Sequence, residues 1–508
     1  MNTKSRTAKG VRNSAVALSF YLLNLILQFI SRKVFIDYLG TEVLGLNTTI
    51  ISILQFFNLA ELGIGPAVAC TLYKPVREND YSTINEILAV QGKLYRAIAY
   101  IVIGGSAIAL LFFPQIFAKA DIPLWYAYAT YLVLLFGSLL GYFYNYKQVL
   151  LSADQQDYKI QISYKLAMLL KFGCQILAVR FLDNGYLFWI ILEFVFSIIG
   201  AIWLNLVIYK SYPYLKESSG YKHGLLKKYP GIITKVKQLF FHKISTYVLS
   251  QVSPLIIYAY ATLTLVSIYG NYMLILMGII SLLNALSNGL NGGVGNLVAE
   301  GSANRIKDVF RELFVVRFFM VSVVTYGYWT FADSFITLWV GASMLLDKTC
   351  LALLSYILFC YAYRPIADSF VNAYGLFKDI WAPVVEAIIN IGLSIILGSF
   401  MGLTGILIGS AVSLTFMQIF WKPIFLFSQG FKRPVTDYFY IFWKMSLISI
   451  GPGLIIFFVK KILNVSDGLV FTPIICIIIY TIVLFVFLVV SERGMRDFVN
   501  RFFKKSKH

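Results

Sequence analysis

The chain has 508 residues, of which 59% are hydrophobic and only 13% are charged. Soluble domains carry about 25% charged residues, so the composition excludes an ordinary soluble enzyme and predicts an integral membrane protein. The net charge of +19 would indicate nucleic-acid binding in a soluble protein, but in a membrane protein the placement of the cations sets orientation. No nucleic-acid partner is therefore expected.

Fourteen apolar segments, separated by polar, Gly or Pro clusters, are each long enough to form a membrane-spanning helix. The first follows a basic tail but is too long for the hydrophobic region of a signal peptide, so we expect it to be retained. The sequence thus predicts an all-α integral membrane protein with about 14 transmembrane helices. In chain order these are residues 14–37, 45–72, 86–113, 122–151, 159–180, 186–209, 238–260, 265–297, 307–331, 349–375, 380–398, 404–428, 437–460 and 469–490.

The Lys and Arg residues are distributed very unequally between the two sides of this topology. With both termini on one side, 36 of the 43 Lys and Arg residues fall on that side. Cytoplasmic loops of membrane proteins carry an excess of Lys and Arg. The pattern therefore predicts that both termini are cytoplasmic and that the protein is multi-pass in the plasma membrane, the inner membrane of a bacterium.

A basic connection near the middle of the chain separates two groups of six helices. We therefore predict an N-terminal six-helix lobe (1–210), a basic cytoplasmic linker (211–237), a C-terminal six-helix lobe (238–430), and two additional helices with a basic cytoplasmic tail (431–508).

The motifs of common enzymes are missing from the sequence. There is no GxxxxGK[ST] nucleotide loop and no HExxH, and the three His and five Cys residues have no metal-ligand spacing. We therefore predict no catalytic residue, no metal and no cofactor, so the chain is not expected to be an enzyme. Energy for transport would come from an ion gradient, the substrate gradient or a partner.

Two charged residues near the start of the chain are the strongest functional candidates, because charge in hydrocarbon is costly and usually has a function. Arg32 lies twenty residues after Arg12, or about 30 Å along a helix, toward the outer face. It either faces a cavity or snorkels to the interface together with Lys33. Glu61 precedes Gly63, Gly65 and Pro66, which predict a kink; it either pairs with Arg32 or binds a coupling cation.

Other intramembrane charges are further candidates for anion binding and for ion coupling. Lys165, Lys243 and Arg364 are further cations that could bind an anion, a pyrophosphate above all, although contact with lipid headgroups is the alternative. Asp368 and Glu386, with Glu193, are carboxylates able to take part in proton or sodium coupling. The sequence does not rank them.

Several short motifs in order resemble the bacterial polysaccharide (Wzx-type) flippases, of the multidrug/oligosaccharidyl-lipid/polysaccharide exporter superfamily. The resemblance covers nearly the whole chain. The motifs are Ser31-Arg32-Lys33-Val34-Phe35-Ile36, Leu44-Gly45-Leu46, Leu59-Ala60-Glu61-Leu62-Gly63-Ile64-Gly65, Leu72-Tyr73-Lys74-Pro75, Tyr269-Gly270-Asn271-Tyr272, Gly295-Asn296-Leu297, Tyr374-Gly375-Leu376-Phe377-Lys378 and Asn390-Ile391-Gly392-Leu393.

This resemblance implies two six-helix lobes in a V around a central cavity, plus two C-terminal helices. It also implies that the substrate is a polyprenyl-diphosphate-linked oligosaccharide, moved from the cytoplasmic to the outer leaflet by alternating access for surface polysaccharide biosynthesis. A glycan polymerase and other polysaccharide-assembly proteins are the partners it suggests. Such flippases hold the diphosphate with cavity cations; here Arg32 matches best, and helix 265–297 has no cation in its apolar body.

Three alternatives stay open at this point. One is a cation-coupled drug or metabolite antiporter of the same fold. Another is a membrane glycan polymerase or ligase, although such enzymes usually have a large external loop and the external connections here are short. The third is a channel or a structural scaffold.

Overall fold

The computed structural model describes the backbone of residues 3–61, 63–215, 224–288, 290–376, 379, 381–463 and 470–505. Within these ranges, the side chains of residues 3–15, 60, 241–246, 249–250, 286–288, 290–292 and 502–505 lie outside the description. Packing divides the chain into two compact units, residues 1–267 and 268–508. Each unit is treated by itself below.

The first unit consists of helices joined by short turns. Its main helices are α1 (Thr3–Leu39), α2 (Thr41–Asn58), α3 (Ile64–Glu78), α4 (Tyr81–Leu111), α5 (Leu124–Phe143), α6 (Asp157–Phe181), α7 (Gly185–Ser211), α8 (Pro230–Gln251), α9 (Ser253–Tyr260) and the start of α10 (Leu263–Asn288). Shorter helical turns are Leu59–Glu61, Phe113–Ile116, Tyr146–Gln148, Val149–Ala153 and Leu225–Lys228.

The second unit is built in the same way. After α10 come α11 (Leu290–Glu300), α12 (Ala303–Val340), α13 (Lys348–Tyr363), α14 (Pro365–Ala373), α15 (Trp381–Leu414), α16 (Thr436–Ile462), α17 (Phe471–Ser491) and α18 (Arg493–Lys505). A 3-10 turn spans Ala342–Met344. Helix α15 runs on through a π segment (Thr415–Trp421), a short α turn (Lys422–Phe425) and a second π segment (Leu426–Phe431).

The predicted all-α membrane fold is confirmed, since the described residues contain helices and no strand. Among them, ten helical segments are long and apolar enough to cross a bilayer. Their outer faces carry large exposed apolar side chains, such as Leu22 and Ile26 on α1 and Ile475 and Ile482 on α17. In lipid every backbone polar group needs an internal partner, and helices provide one. The total of 14 spans and the side of the termini stay predictions.

The predicted helix at residues 45–72 is broken beside Glu61, where the sequence indicated a kink. Helix α2 ends at Asn58, a 3-10 turn covers Leu59–Glu61, and α3 starts after Gly63. Gly63 has a φ of 97°, a left-handed conformation that glycine adopts without strain. The break thus places a carboxylate at a helix end.

The two helices predicted at 380–398 and 404–428 form, from Trp381 onward, a tight antiparallel hairpin made of α15 and its extension. The reversal occurs at Gly402, with φ 56° and ψ −133°. Two glycines spaced i, i+4 bring the legs into backbone contact: a Cβ atom on Gly405 would lie 2.1 Å from the Leu397 carbonyl oxygen, and one on Gly409 2.6 Å from the Ser394 nitrogen. Small residues at this spacing allow close helix packing in membranes.

Buried polar contacts support the same hairpin. Asn390 donates to the Ser410 hydroxyl at 3.0 Å, and the Ser394 hydroxyl donates to the Ile406 carbonyl at 3.1 Å. Because these groups lie away from lipid and water, each needs such a partner.

Two aromatic clusters organise the interiors of the units. In the first unit, Phe35 and Val43 pack against Tyr186 and Ile190 of α7. In the second, α12 is the central helix and contacts α13, α17 and α18. Its Phe314 lies 5.5 Å, between ring centroids, from Tyr363, whose hydroxyl donates to Tyr438 at 2.9 Å.

Helix α18 is a feature that the sequence reasoning missed, because it treated residues after 490 as a basic tail. The helix is amphipathic: Met495 is buried, whereas Arg493, Arg496 and Asp497 are exposed. Glu492, just before it, binds Arg311 at 3.0 Å and Lys444 at 2.7 Å. Arg501 binds Glu312 of α12 at 2.7 Å.

The α15 hairpin yields a test of the packing. Replacing Gly409 by Ala forces a methyl group into the Ser394 backbone, and we expect the free energy of unfolding to fall by about 1–3 kcal/mol. Gly392→Ala is the matched control, because nothing lies within 4 Å of a Cβ atom there and Ala is the better helix former. Thermal unfolding of the purified proteins in detergent should show a lower midpoint for Gly409→Ala alone; equal midpoints would contradict the close packing.

Candidate functional site

Arg32 and its neighbour Lys33 have different environments. The half-buried Arg32 donates from Nη2 to the carbonyl oxygen of Ser267, on α10, at 3.2 Å. Lys33 is exposed and binds Asp37, one turn later, at 3.2 Å. Arg32 thus contacts a neighbouring helix, whereas Lys33, about 100° further around α1, is exposed and pairs within its own helix.

The packing of α1 explains why Arg32 points inward. Phe35, three residues later and so on the same helix face, is 5% exposed and lies edge-on to Trp189 of α7 at a centroid distance of 5.7 Å. Nearby, Gly45 lets α2 approach the backbone of Leu263 at the start of α10. The motif glycine of Leu44-Gly45-Leu46 thus brings α1, α2 and α10 together around Arg32.

Glu61 lies in a cluster of tyrosines and amides. Tyr95 of α4 donates to its Oε1 atom at 3.0 Å. Tyr142 of α5 donates to Asn58 at 2.8 Å, and Tyr247 of α8 donates to Gln55 at 3.3 Å. The Tyr95 and Tyr142 rings are 5.7 Å apart. Among the side chains that the structure describes, Glu61 has no ion-pair partner, so neutral hydroxyl groups solvate its carboxylate.

The Arg32–Glu61 ion pair, one of the two sequence-based interpretations of Glu61, is not formed. Arg32 lies eight residues before the Gly40 turn and Glu61 lies twenty-one residues after it. At 1.5 Å per residue, the antiparallel helices α1 and α2 place them about 20 Å apart along the helix axis. The alternative, a coupling-cation site at Glu61, stays a prediction.

Lys171 and Glu193 form a buried ion pair between α6 and α7. Their atoms Nζ and Oε1 are 2.6 Å apart, and the side chains are 8% and 10% exposed. Gln175 donates to the second carboxylate oxygen at 3.0 Å. Since removing either partner would leave an uncompensated buried charge, this pair stabilises the packing of α6 against α7.

In the second unit, Arg364 and Asp368 belong to one cluster with a third residue. Arg364 donates from Nε to Asp368 at 2.8 Å, and Lys422 donates to the other oxygen of Asp368 at 2.7 Å. Asp368 thus has two cationic partners, which stabilise its charged form. Two residues that the sequence assigned to different functions, anion binding and ion coupling, neutralise each other here.

Glu386 is more deeply buried than the other predicted coupling residues, at 2% exposed. Gln418 donates to its Oε1 atom at 3.4 Å. Both residues lie on the α15 hairpin and its extension, the same segment that carries Lys422.

The predicted cations Lys165 and Lys243, and a further intramembrane cation, Arg317, have varied positions. Lys165 is exposed at the end of the π segment Gln161–Lys165. Lys243 lies within α8, but its side chain is outside the described residues. Arg317 is buried and donates to the backbone carbonyls of Ala362 at 2.7 Å and Leu283 at 3.1 Å. It therefore joins α10, α12 and α13, and no headgroup contact is needed to explain it.

Sequence reasoning missed three groups of partners. Lys422 was counted only as a cytoplasmic cation. The tyrosines around Glu61 come from three separate helices, and no local pattern links them. Asp333 was also overlooked; it accepts from Tyr272 at 2.5 Å and from Lys348 at 2.7 Å, and the resembling motif Tyr269-Gly270-Asn271-Tyr272 could have indicated it.

Comparison with protein-family models and with curated proteins finds no match. Solved structures do match. The lipid II flippase MurJ, in an inward closed conformation, has a TM-score of 0.66 and 16% identity over 96% of this chain and 99% of its own. A multidrug resistance MATE family transporter of the MOP superfamily, inward-facing, has a TM-score of 0.58 and 14% identity over 80% of this chain and 96% of its own.

A third match is the MATE transporter VcmN of Vibrio cholerae, in a mutant form, with a TM-score of 0.51 and 13% identity over 84% of this chain and 99% of its own. At these identities the likeness concerns the fold. The chain is thus a multi-pass membrane protein with the fold of MurJ and the MATE transporters of the MOP superfamily.

Proposed function

We propose that this protein is a flippase that moves a polyprenyl-diphosphate-linked oligosaccharide from the cytoplasmic to the outer leaflet of a bacterial plasma membrane. It works by alternating access of two helical lobes and uses an ion gradient. The translocated lipid-linked oligosaccharide is then used for the biosynthesis of surface polysaccharide. A glycan polymerase and other assembly proteins act together with the flippase.

The main support for this proposal is the fraction of the chain that matches the structure of a lipid flippase. The lipid flippase MurJ matches 96% of the chain, whereas the two MATE transporters match 80% and 84%. A lipid flippase therefore accounts for more of this chain than drug transporters do. All three named proteins are flippases or transporters, which supports a function other than catalysis.

In this proposal Arg32 binds the diphosphate. Its guanidinium group is half-buried and donates to a neutral backbone carbonyl. Hydrogen bonds between a cation and a phosphate are roughly twice as strong as those to neutral acceptors, and the planar guanidinium matches two phosphate oxygens at once. A diphosphate would thus displace the Ser267 carbonyl. Lys165, Lys243 and Arg364 are secondary candidates in this proposal.

Ion coupling is assigned to Glu61, ahead of Asp368 and Glu386. Asp368 is held between two cations, so gaining a proton or binding sodium would mean breaking two ion pairs. Glu61 has a hydroxyl donor and nearby amide oxygens instead. Oxygen ligands of this kind suit a hard cation, and a carboxylate without a cationic partner can also take up a proton.

The similarity to MATE transporters favours one second candidate, a cation-coupled antiporter of drugs or metabolites. This activity would appear as gradient-driven uptake of soluble cations into vesicles. The flippase proposal expects no such uptake.

Replacing Arg32 by Ala tests the diphosphate site. Losing a charge-assisted hydrogen bond costs about 1.5–3 kcal/mol, so flipping should slow about tenfold or more. The assay is the reconstituted protein in proteoliposomes with a labelled polyprenyl-diphosphate oligosaccharide. Lys33→Ala is the matched control, since this neighbouring cation is exposed and pairs with Asp37, and this variant should flip the lipid at the normal rate. Equal rates for both variants would contradict the assignment of Arg32.

Replacing Glu61 by Gln tests ion coupling. The change keeps the shape but removes the charge, so flipping should lose its response to an imposed proton or sodium gradient while slow equilibration of the lipid persists. Glu42→Gln, the same change at the opposite end of α2, should keep the response. If the Glu61→Gln protein still responds to the gradient, the assignment of ion coupling to Glu61 is wrong, and Glu386 becomes the candidate.

A further inference from the structure

A cleft at one end of the second unit is not used by the proposed transport cycle. It is a shallow cleft between the first turns of α12, the first turns of α16 and the end of the α15 extension. Because the cleft is open on one side, a ligand would lie across it with part of its length outside.

The floor of the cleft is aromatic. Phe310 lies edge-on to Phe427 and Phe431, with ring centroids 5.7 and 5.1 Å away, and Tyr374 lies 5.8 Å from Phe431. Phe310 and Phe427 are buried. Such a floor offers little to a small hydrophilic anion but suits the apolar part of an amphiphile.

The rim is basic. Three cations, Lys307, Arg311 and Arg433, line the cleft, against one carboxylate, Asp437. Lys307 binds Asp437 at 3.0 Å, but both side chains are nearly half exposed, and such pairs contribute little. Arg433 donates to the neutral amide oxygen of Asn304 at 3.1 Å. A phosphate group can replace these two contacts at a small cost in free energy.

The residues of the cleft belong to helix ends. In the topology predicted from the sequence, these ends are on the cytoplasmic side, which carries most of the cations. Arg311, on the rim, also binds Glu492 at 3.0 Å, next to the amphipathic helix α18. Basic amphipathic helices with aromatic residues lie in the interfacial plane. Lipid phosphates would therefore be within reach of the rim.

We propose that this cleft binds an anionic phospholipid of the cytoplasmic leaflet, with the phosphate on Lys307 and Arg433 and the glycerol and upper acyl chain on the Phe310 floor. Basic pockets between membrane helices on this side bind such headgroups. The site is separate from Arg32 and Glu61, and it does not depend on which substrate is transported.

Lipid binding to the purified full-length protein in neutral detergent tests the proposal. Native mass spectrometry should show phosphatidylglycerol or cardiolipin bound and phosphatidylcholine washed away, and the anionic lipids alone should raise the thermal unfolding midpoint. Each rim cation contributes about 1 kcal/mol, so Lys307→Gln and Arg433→Gln should each weaken binding about fivefold.

Three controls separate the outcomes. Arg433→Lys keeps the charge and should retain most of the affinity. Lys461→Gln removes an exposed cation from the other end of α16 and should bind normally. Because Lys307 is 45% exposed, its replacement leaves the fold intact even if an Arg433 variant misfolds. Equal binding of phosphatidylcholine, full affinity of Lys307→Gln, or displacement of the lipid by millimolar glycerol phosphate or ATP would overturn the proposal.

Discussion

The cost of an unpaired charge in hydrocarbon shapes the interior of this protein more than any other interaction. Lys171 with Glu193, and Asp368 with Arg364 and Lys422, are satisfied within single units and stabilise the packing of helices. The buried charge of Arg317 is stabilised by hydrogen bonds to backbone carbonyls. Glu61, at the break between α2 and α3, accepts instead from the hydroxyl of Tyr95, and this contact supports the role proposed for it.

In the proposed mechanism, Arg32 and Glu61 are connected through α2. Arg32 lies on α1, eight residues before the Gly40 turn that precedes α2, and Glu61 is in the break that follows α2. Helix α2 is an uninterrupted helix of 18 residues. In that mechanism a change in the charge of Glu61 would displace the helix end beside it, and a rigid helix would transmit the displacement along its length toward Arg32. Coupling between ion and substrate would then require no direct contact between the two residues.

The helices could be predicted from the sequence because each is a local pattern of apolar residues between breakers. The kink beside Glu61 and the reversal between residues 398 and 404 also follow from local glycines. Helix α18 could not be found by this criterion, since its pattern is amphipathic rather than apolar. The site was predicted less completely: Arg32, Glu61 and Asp368 are conspicuous as charges in apolar segments, whereas Tyr95, Tyr142 and Lys422 become partners only through packing over large sequence separations.

The π segment Thr415–Trp421 has a consequence for the register of the chain. A π turn closes its hydrogen bonds over five residues rather than four, so it accommodates one residue more than an α turn, and each residue rotates the helix by about 100°. Lys422 follows this segment directly and reaches Asp368 at 2.7 Å. The ion pair thus depends on an apparent one-residue insertion upstream. Homologous chains can be expected to differ here by single-residue gaps, and an alignment that ignores them will match the wrong residue to Lys422.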